Sequence, residues 1–118
     1  MTYSIEFEYE RPPITANQRL HWRMKALLTK DVRALTAQKA AHIPPMKACA
    51  VSLNWIVNDK RRRDADNIVP TLKAMCDGLV DAGIVPDDTP ELMRKSMPVI
   101  VYDPNAVAFM ELRIEEIA

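Results

Sequence analysis

The sequence predicts an α/β (α+β) fold, a single small domain in which two main helices pack on a mixed β-sheet in the order β-α-β-α-β-β. Three observations carry that prediction. Apolar residues alternate with polar ones in "TYSIEFEYE" and gather with β-branched residues in "ACAVSLNWIV", the marks of strands. Two later stretches repeat apolar residues at three- and four-residue steps, the mark of helices. The 118 residues, 48% apolar and 27% charged, suffice for one core and are short for two.

Residues 2–10 read as a strand with Tyr3, Ile5, Phe7 and Tyr9 on one face and Ser4, Glu6, Glu8 and Glu10 on the other. "RPPITANQR" breaks the pattern, since two prolines cannot continue a ladder and Asn17 suits a turn. Residues 22–41 then read as a helix, with Leu27, Leu28, Val32, Leu35 and Ala40 inward and Lys25, Lys30, Arg33 and Lys39 solvated. "HIPP" stops it. Residues 48–57 form a central strand, and "NDKRRR" a loop or strand end. A second helix spans about 68–82, where Ile68, Leu72, Met75, Cys76, Leu79 and Val80 line one side. Pro70 belongs in its first turn and Gly83 caps its C-terminus. "MPVIVY" and "AVAFMELRIEEI" flank the turn tetrapeptide "DPNA" and predict a β-hairpin. No repeat, low-complexity tract or linker divides residues 1–118.

No apolar run reaches the ~20 residues of a membrane span, and "MTYSIEFEYE" lacks the basic and greasy regions of a signal peptide, so the expected compartment is the cytoplasm. Cys49 and Cys76 form no CxxC pair, and His21 and His42 offer no zinc spacing, so buried free thiols are expected. The net charge is zero but unevenly laid out. Residues 11–73 hold 13 Lys and Arg against 4 Asp, whereas residues 74–118 hold 3 basic residues against 9 acidic ones. Clustered positive charge of this kind suits a phosphate backbone.

The chemistry concentrates in "RRRDADNIVPTLKAMCDGLVDAGIVPDD", residues 61–88. Asp64 and Asp66 precede the second helix, at its positive end; Asp87 and Asp88 follow it, and meet the first pair only if the loop turns back toward the sheet. Acids at a helix start are also common as plain caps. Lys73 falls about 20° from residue 66 around the helix axis, with Asp77 four residues beyond on the same face. It suits either a surface pair with Asp77 or an anion beside Asp66. Crowded carboxylates hold Mg²⁺ or Mn²⁺, which prefer hard oxygen ligands, and adjacent arginines hold phosphates near carboxylates that would otherwise repel them. A calcium loop is excluded, because the required Gly and closing Glu are missing and Val69 and Pro70 occupy later loop positions.

"RRRDADN", a lysine on the following helix, "DGLVDAGIVPDD" and the early "PPITANQR" together resemble the RusA family of Holliday junction endonucleases, in the family's order and over most of the chain. The resemblance implies a Mg²⁺-dependent homodimer that nicks four-way DNA junctions symmetrically, in a bacterial or phage-infected cell, with Mn²⁺ as a substitute metal. It places the essential metal-binding acids at Asp64, Asp66 and Asp88, with Asp87 accessory, and the catalytic lysine at Lys73. One departure stands out: the family's best-known member carries its lysine three residues after the asparagine, where this chain has Pro70. The same resemblance makes Arg61, Arg62 and Arg63 DNA-backbone contacts, joined by Arg19, Arg23, Lys25 and Lys30 unless these are only a solvated helix face. Asn17 and His21 lie in the early loop with no assigned chemistry. Three alternatives stay open: a nuclease of broader branched DNA such as flaps and forks, a non-catalytic DNA-binding module, and a metal-binding structural protein.

Overall fold

The computed structural model describes residues 1–117. Five strands and two helices follow one another: β1 (Thr2–Phe7), α1 (Trp22–Lys39), β2 (Cys49–Val57), α2 (Val69–Asp81), β3 (Met93–Lys95), β4 (Val99–Tyr102) and β5 (Phe109–Glu116). The sheet is mixed, as expected. Strand β5 lies between β1 and β2 and is antiparallel to both, while β3 and β4 pair in parallel with the far side of β2. Strands β1 to β4 therefore all point the same way, and each helix runs back between parallel strands.

Period-two patterning sets which face the helices cover. Every second residue of β2, from Cys49 through Val51, Leu53 and Trp55 to Val57, is buried, and so are Ile5 and Phe7 of β1 and Met110, Leu112 and Ile114 of β5. These meet Val32 of α1 and Leu72, Met75 and Leu79 of α2 in one core. Leu27, expected inside, is 52% exposed; α1 instead turns Val32, Thr36 and Ala40 inward, one turn apart. The buried Thr36 hydroxyl donates to the Val32 carbonyl, which removes its desolvation cost.

The expected hairpin does not form. "DPNA" does turn, with the Ala106 N–H donating to the Asp103 carbonyl, but the strands it joins pair with opposite sides of β2. The connection crosses the end of β2, where the Asp103 N–H donates to the Val57 carbonyl at 2.8 Å and the Asn58 side chain to the Ala106 carbonyl at 3.1 Å. A turn signal reverses the chain locally and says nothing about a third strand entering the gap. The short β3 was not foreseen either. It continues β4 along the same edge across a break at residues 96–98, where Pro98 has no N–H for a ladder.

Helix α2 opens with a 3₁₀ turn, Ala65–Ile68, and carries Pro70 in its first turn. It closes on Gly83, at φ 81°: the Gly83 N–H donates to the Val80 carbonyl and the Ile84 N–H to that of Leu79, the paired bonds of a Schellman cap. No helix of the described residues is long and apolar enough to cross a membrane.

Both cysteines are buried free thiols. Burial raises the pKa of Cys49 and pushes that of Cys76 up to about 12. At pH 8 neither should react with a thiol reagent such as DTNB in the native protein, and two should react in guanidinium. Rapid labelling of native protein would contradict this packing.

Candidate active site

In open sheets with parallel strands, ligands bind outside the carboxyl ends of the strands. Here that end gathers the exit of β2, the starts of α1 and α2, and the loop after β1. Buried Thr71 fastens the loop: its hydroxyl donates to the Ile14 carbonyl at 2.6 Å and accepts from the Ile14 N–H at 3.2 Å. One step further, the Ala16 N–H donates to the Asn67 carbonyl at 3.1 Å. The two segments "PPITANQR" and "DADN", far apart in the chain, are thereby brought together.

The three arginines do not act alike. Arg63 folds inward. Its guanidinium lies 5.0 Å from the centre of the Trp55 ring, donates to Asp59 Oδ1 at 2.7 Å, and reaches the Asp59 and Arg61 carbonyls. Only 16% of its side chain is exposed, so it staples the loop. Asp59 also accepts the Arg61 N–H, and these bonds, that of Arg61 foremost and then that of Arg63, hold its carboxyl below the usual range. Arg61 and Arg62 face solvent beside a cleft of about 350 Å³ that Arg11 also lines. Arg11 carried no signal in the sequence.

Asp64 is extended at the entry to the 3₁₀ turn and Asp66 lies within it; both are exposed. Neither carboxylate caps: no side-chain bond is made at the start of the 3₁₀ turn or of α2. Among the described residues neither forms an ion pair. Two carboxylates left without partners at the positive start of a helix are open to a cation.

Lys73 makes the expected pair with Asp77 and a second, unforeseen one with Asp88. Its Nζ is 2.8 Å from Asp77 Oδ1 and 2.8 Å from Asp88 Oδ2, so the loop after α2 does turn back. These two bonds, that to Asp77 foremost, raise the lysine's pKa. Asp88 arrives beside the second and third turns of α2 rather than at its start. There it also takes Lys95, from β3, at 2.9 Å to the same oxygen. Lys73 first and then Lys95 hold its carboxyl well below the carboxylate range. Asp87 is exposed and accepts only the Asp88 N–H, at 2.7 Å. Lys95 was not anticipated, because its segment carried no strand signal.

As placed, these acids do not fit a divalent cation needing several oxygen ligands. Asp64 and Asp66 have suitable donors, Asp88 is taken by two ammonium groups, and among the described residues no three of His, Cys, Asp and Glu gather to hold a metal.

Basic groups continue along the start of α1. Arg23 stacks over Trp22 at 5.2 Å, and Trp22 remains exposed beside His21, whose Nδ1 accepts the Arg23 N–H. Arg19 is exposed, and Lys25 and Lys30 line a shallow groove with Trp22, Thr29 and Arg33. An exposed aromatic ring among cations is suited to stacking on a base, a feature the charge pattern alone did not single out. No family model matches the chain, and no curated protein matches it.

Proposed function

We propose that this protein is an endodeoxyribonuclease of branched DNA that resolves Holliday junctions by paired nicks, acting with Mg²⁺ or Mn²⁺. The observation that carries the reading is the pairing of two unpartnered carboxylates, Asp64 and Asp66, with the outward arginines Arg61 and Arg62 at the binding end of the sheet. Arg61, Arg62, Arg19, Arg23, Lys25 and Lys30 would hold the backbone, and their cost in salt-sensitive affinity is the usual one for phosphate contacts. A divalent cation would supply an activated water and draw charge from the phosphate. Asp64 and Asp66 are the carboxylates left open to such a cation, and Lys73 lies further along α2, paired with Asp77 and Asp88.

Symmetrical nicking calls for a homodimer. Exposed Met97, Val99, Val101 and Tyr102 on the outer edge of the sheet are compatible with contact between two copies. A second reading, a DNA-binding module without cleavage, is favoured by one observation: Asp88 is held by lysines and not gathered with the other acids.

A mobile four-way junction, a linear duplex and a fork, each incubated with Mg²⁺ and then with EDTA, separate these readings. Paired symmetrical nicks on the junction alone, lost with EDTA, are the expected result. Equal cutting of the fork would replace junction resolution with general branched-DNA cleavage. Binding without nicking would leave the DNA-binding module.

A further inference from the structure

Helix α1 carries an uncovered face beside its buried one. Trp22, Ala26, Thr29 and Arg33 recur at four-, three- and four-residue steps, one row along about 16 Å of helix. With Lys25, Lys30, Ala34 and Asp81 they line a groove of about 810 Å³. Its one acid, Asp81, is held by Arg33 through two bonds. Lys25 and Lys30 form no ion pair among the described residues, so their charge is left for a ligand. The approach is basic as well: residues 11–30 hold five Lys and Arg and no acidic residue. The groove is thus complementary to an anion that also has flat apolar parts.

At its head stands Trp22, 68% exposed and the most exposed aromatic ring of the described residues. The Arg23 guanidinium lies 5.2 Å from the indole centre and the His21 ring 5.6 Å, and His21 in turn accepts the Arg23 N–H. The indole is held in place without being covered. A duplex keeps its base faces in its own stack, whereas an unpaired base has a face to offer. We propose that Trp22 and this groove hold an unpaired stretch of DNA strand, with one base on the indole and the flanking phosphates beside Lys25 and Lys30. This rests on the reading above that the chain works on DNA, and it narrows the substrate to a branch point with at least one unpaired nucleotide, such as a junction whose centre has opened. Ala16, bonded to the Asn67 carbonyl, lies six residues before Trp22, no more than about 22 Å of chain. The platform therefore stands at the same end of the sheet as Asp64 and Asp66.

The other tryptophan, Trp55, is 9% exposed and packs against Arg63. Intrinsic fluorescence of the full chain in EDTA, titrated with a short oligothymidylate, therefore reports on Trp22 without relying on cleavage. The oligothymidylate should quench the emission, and a blunt duplex of the same length should do so far less. Trp22→Ala should weaken oligothymidylate binding about tenfold, as the loss of one stacked base does, read by anisotropy of a labelled strand. Trp22→Phe keeps a ring and should retain most of the affinity, with emission that no longer responds. Lys25→Met combined with Lys30→Met should lower the salt slope by about 1.4, from ~0.7 for each single-strand phosphate contact. Unaltered emission, unchanged affinity in Trp22→Ala, or equal binding of the duplex would each overturn the proposal. So would emission that shifts with protein concentration alone, which would assign this face to a second copy of the chain. A chain that binds oligothymidylate in this way but nicks no branched DNA with Mg²⁺ keeps the platform and loses the nuclease reading.

Discussion

Asp66→Asn is expected to abolish junction nicking, by roughly 10²–10³-fold, the loss typical when one preorganised electrostatic group is removed from a reacting centre. The structure makes this substitution unusually clean to read. Asp66 is exposed, lies in the 3₁₀ turn ahead of α2, and caps nothing. Its replacement by an isosteric amide therefore removes no bond that holds the fold. Surface changes of this sort move stability by no more than about 0.5 kcal/mol. The thermal melt should be unchanged, and junction binding in EDTA should be equal or tighter, because one negative charge is gone from beside the phosphates. Only cleavage should fall. If nicking persists at the wild-type rate while the melt is unchanged, Asp66 has no part in the chemistry and the nuclease assignment of the segment fails. If nicking and the melt fall together, the residue was structural after all, contrary to its lack of partners.

Much of the scaffold was legible in the sequence because its signals are local. Alternation set the inward face of β1, where Ile5 and Phe7 are buried as the pattern requires, and apolar, β-branched content marked β2 as a central strand. Pro70 and Gly83 bracketed α2 for reasons confined to a few bonds each. What stayed hidden depends on partners distant in sequence. The strands around "DPNA" looked like a hairpin because nothing local records that β2 lies between them. Leu27 fitted a helical stripe, but the stripe that is buried is set by what lies opposite, and α2 meets Val32 and Thr36 instead.

The candidate site divides along the same line. The acids and arginines stood out as a cluster in residues 61–88, yet their roles differ by neighbours the sequence does not show. Arg63 is spent on Trp55 and Asp59, while Arg61 and Arg62 face solvent. Asp88 stands apart from Asp64 and Asp66 because Lys95, on a three-residue strand with no pattern of its own, holds it beside the middle of α2.

Gly78→Ala should lower stability by about 2 kcal/mol. Gly78 is buried where α2 crosses α1. A Cβ there would stand 2.6 Å from the Arg33 carbonyl oxygen and 2.7 Å from the Thr36 Cβ, both closer than real Cβ atoms come. Neither neighbour can simply swing away. The carbonyl is backbone in mid-helix, and Thr36 is held by its bond to the Val32 carbonyl. The helices must therefore separate, which loosens the core contacts along both. Alanine offsets part of this, since it favours the helix over glycine by about 1 kcal/mol, so the figure is a net one. For a chain of this length the melting midpoint should fall by on the order of 8 °C, read by circular dichroism. Adding Thr36→Ala removes only the looser contact with the Thr36 Cγ2, at 3.2 Å, and leaves both the Cβ at position 36 and the carbonyl in place, so the double variant should recover little of the loss by that route. An unchanged or raised midpoint for Gly78→Ala would mean that the helices do not cross this closely. Because α2 also carries Lys73 and begins beside Asp66, the same displacement should slow nicking at temperatures well below the melt, where the chain is still folded and only the spacing of its site has changed.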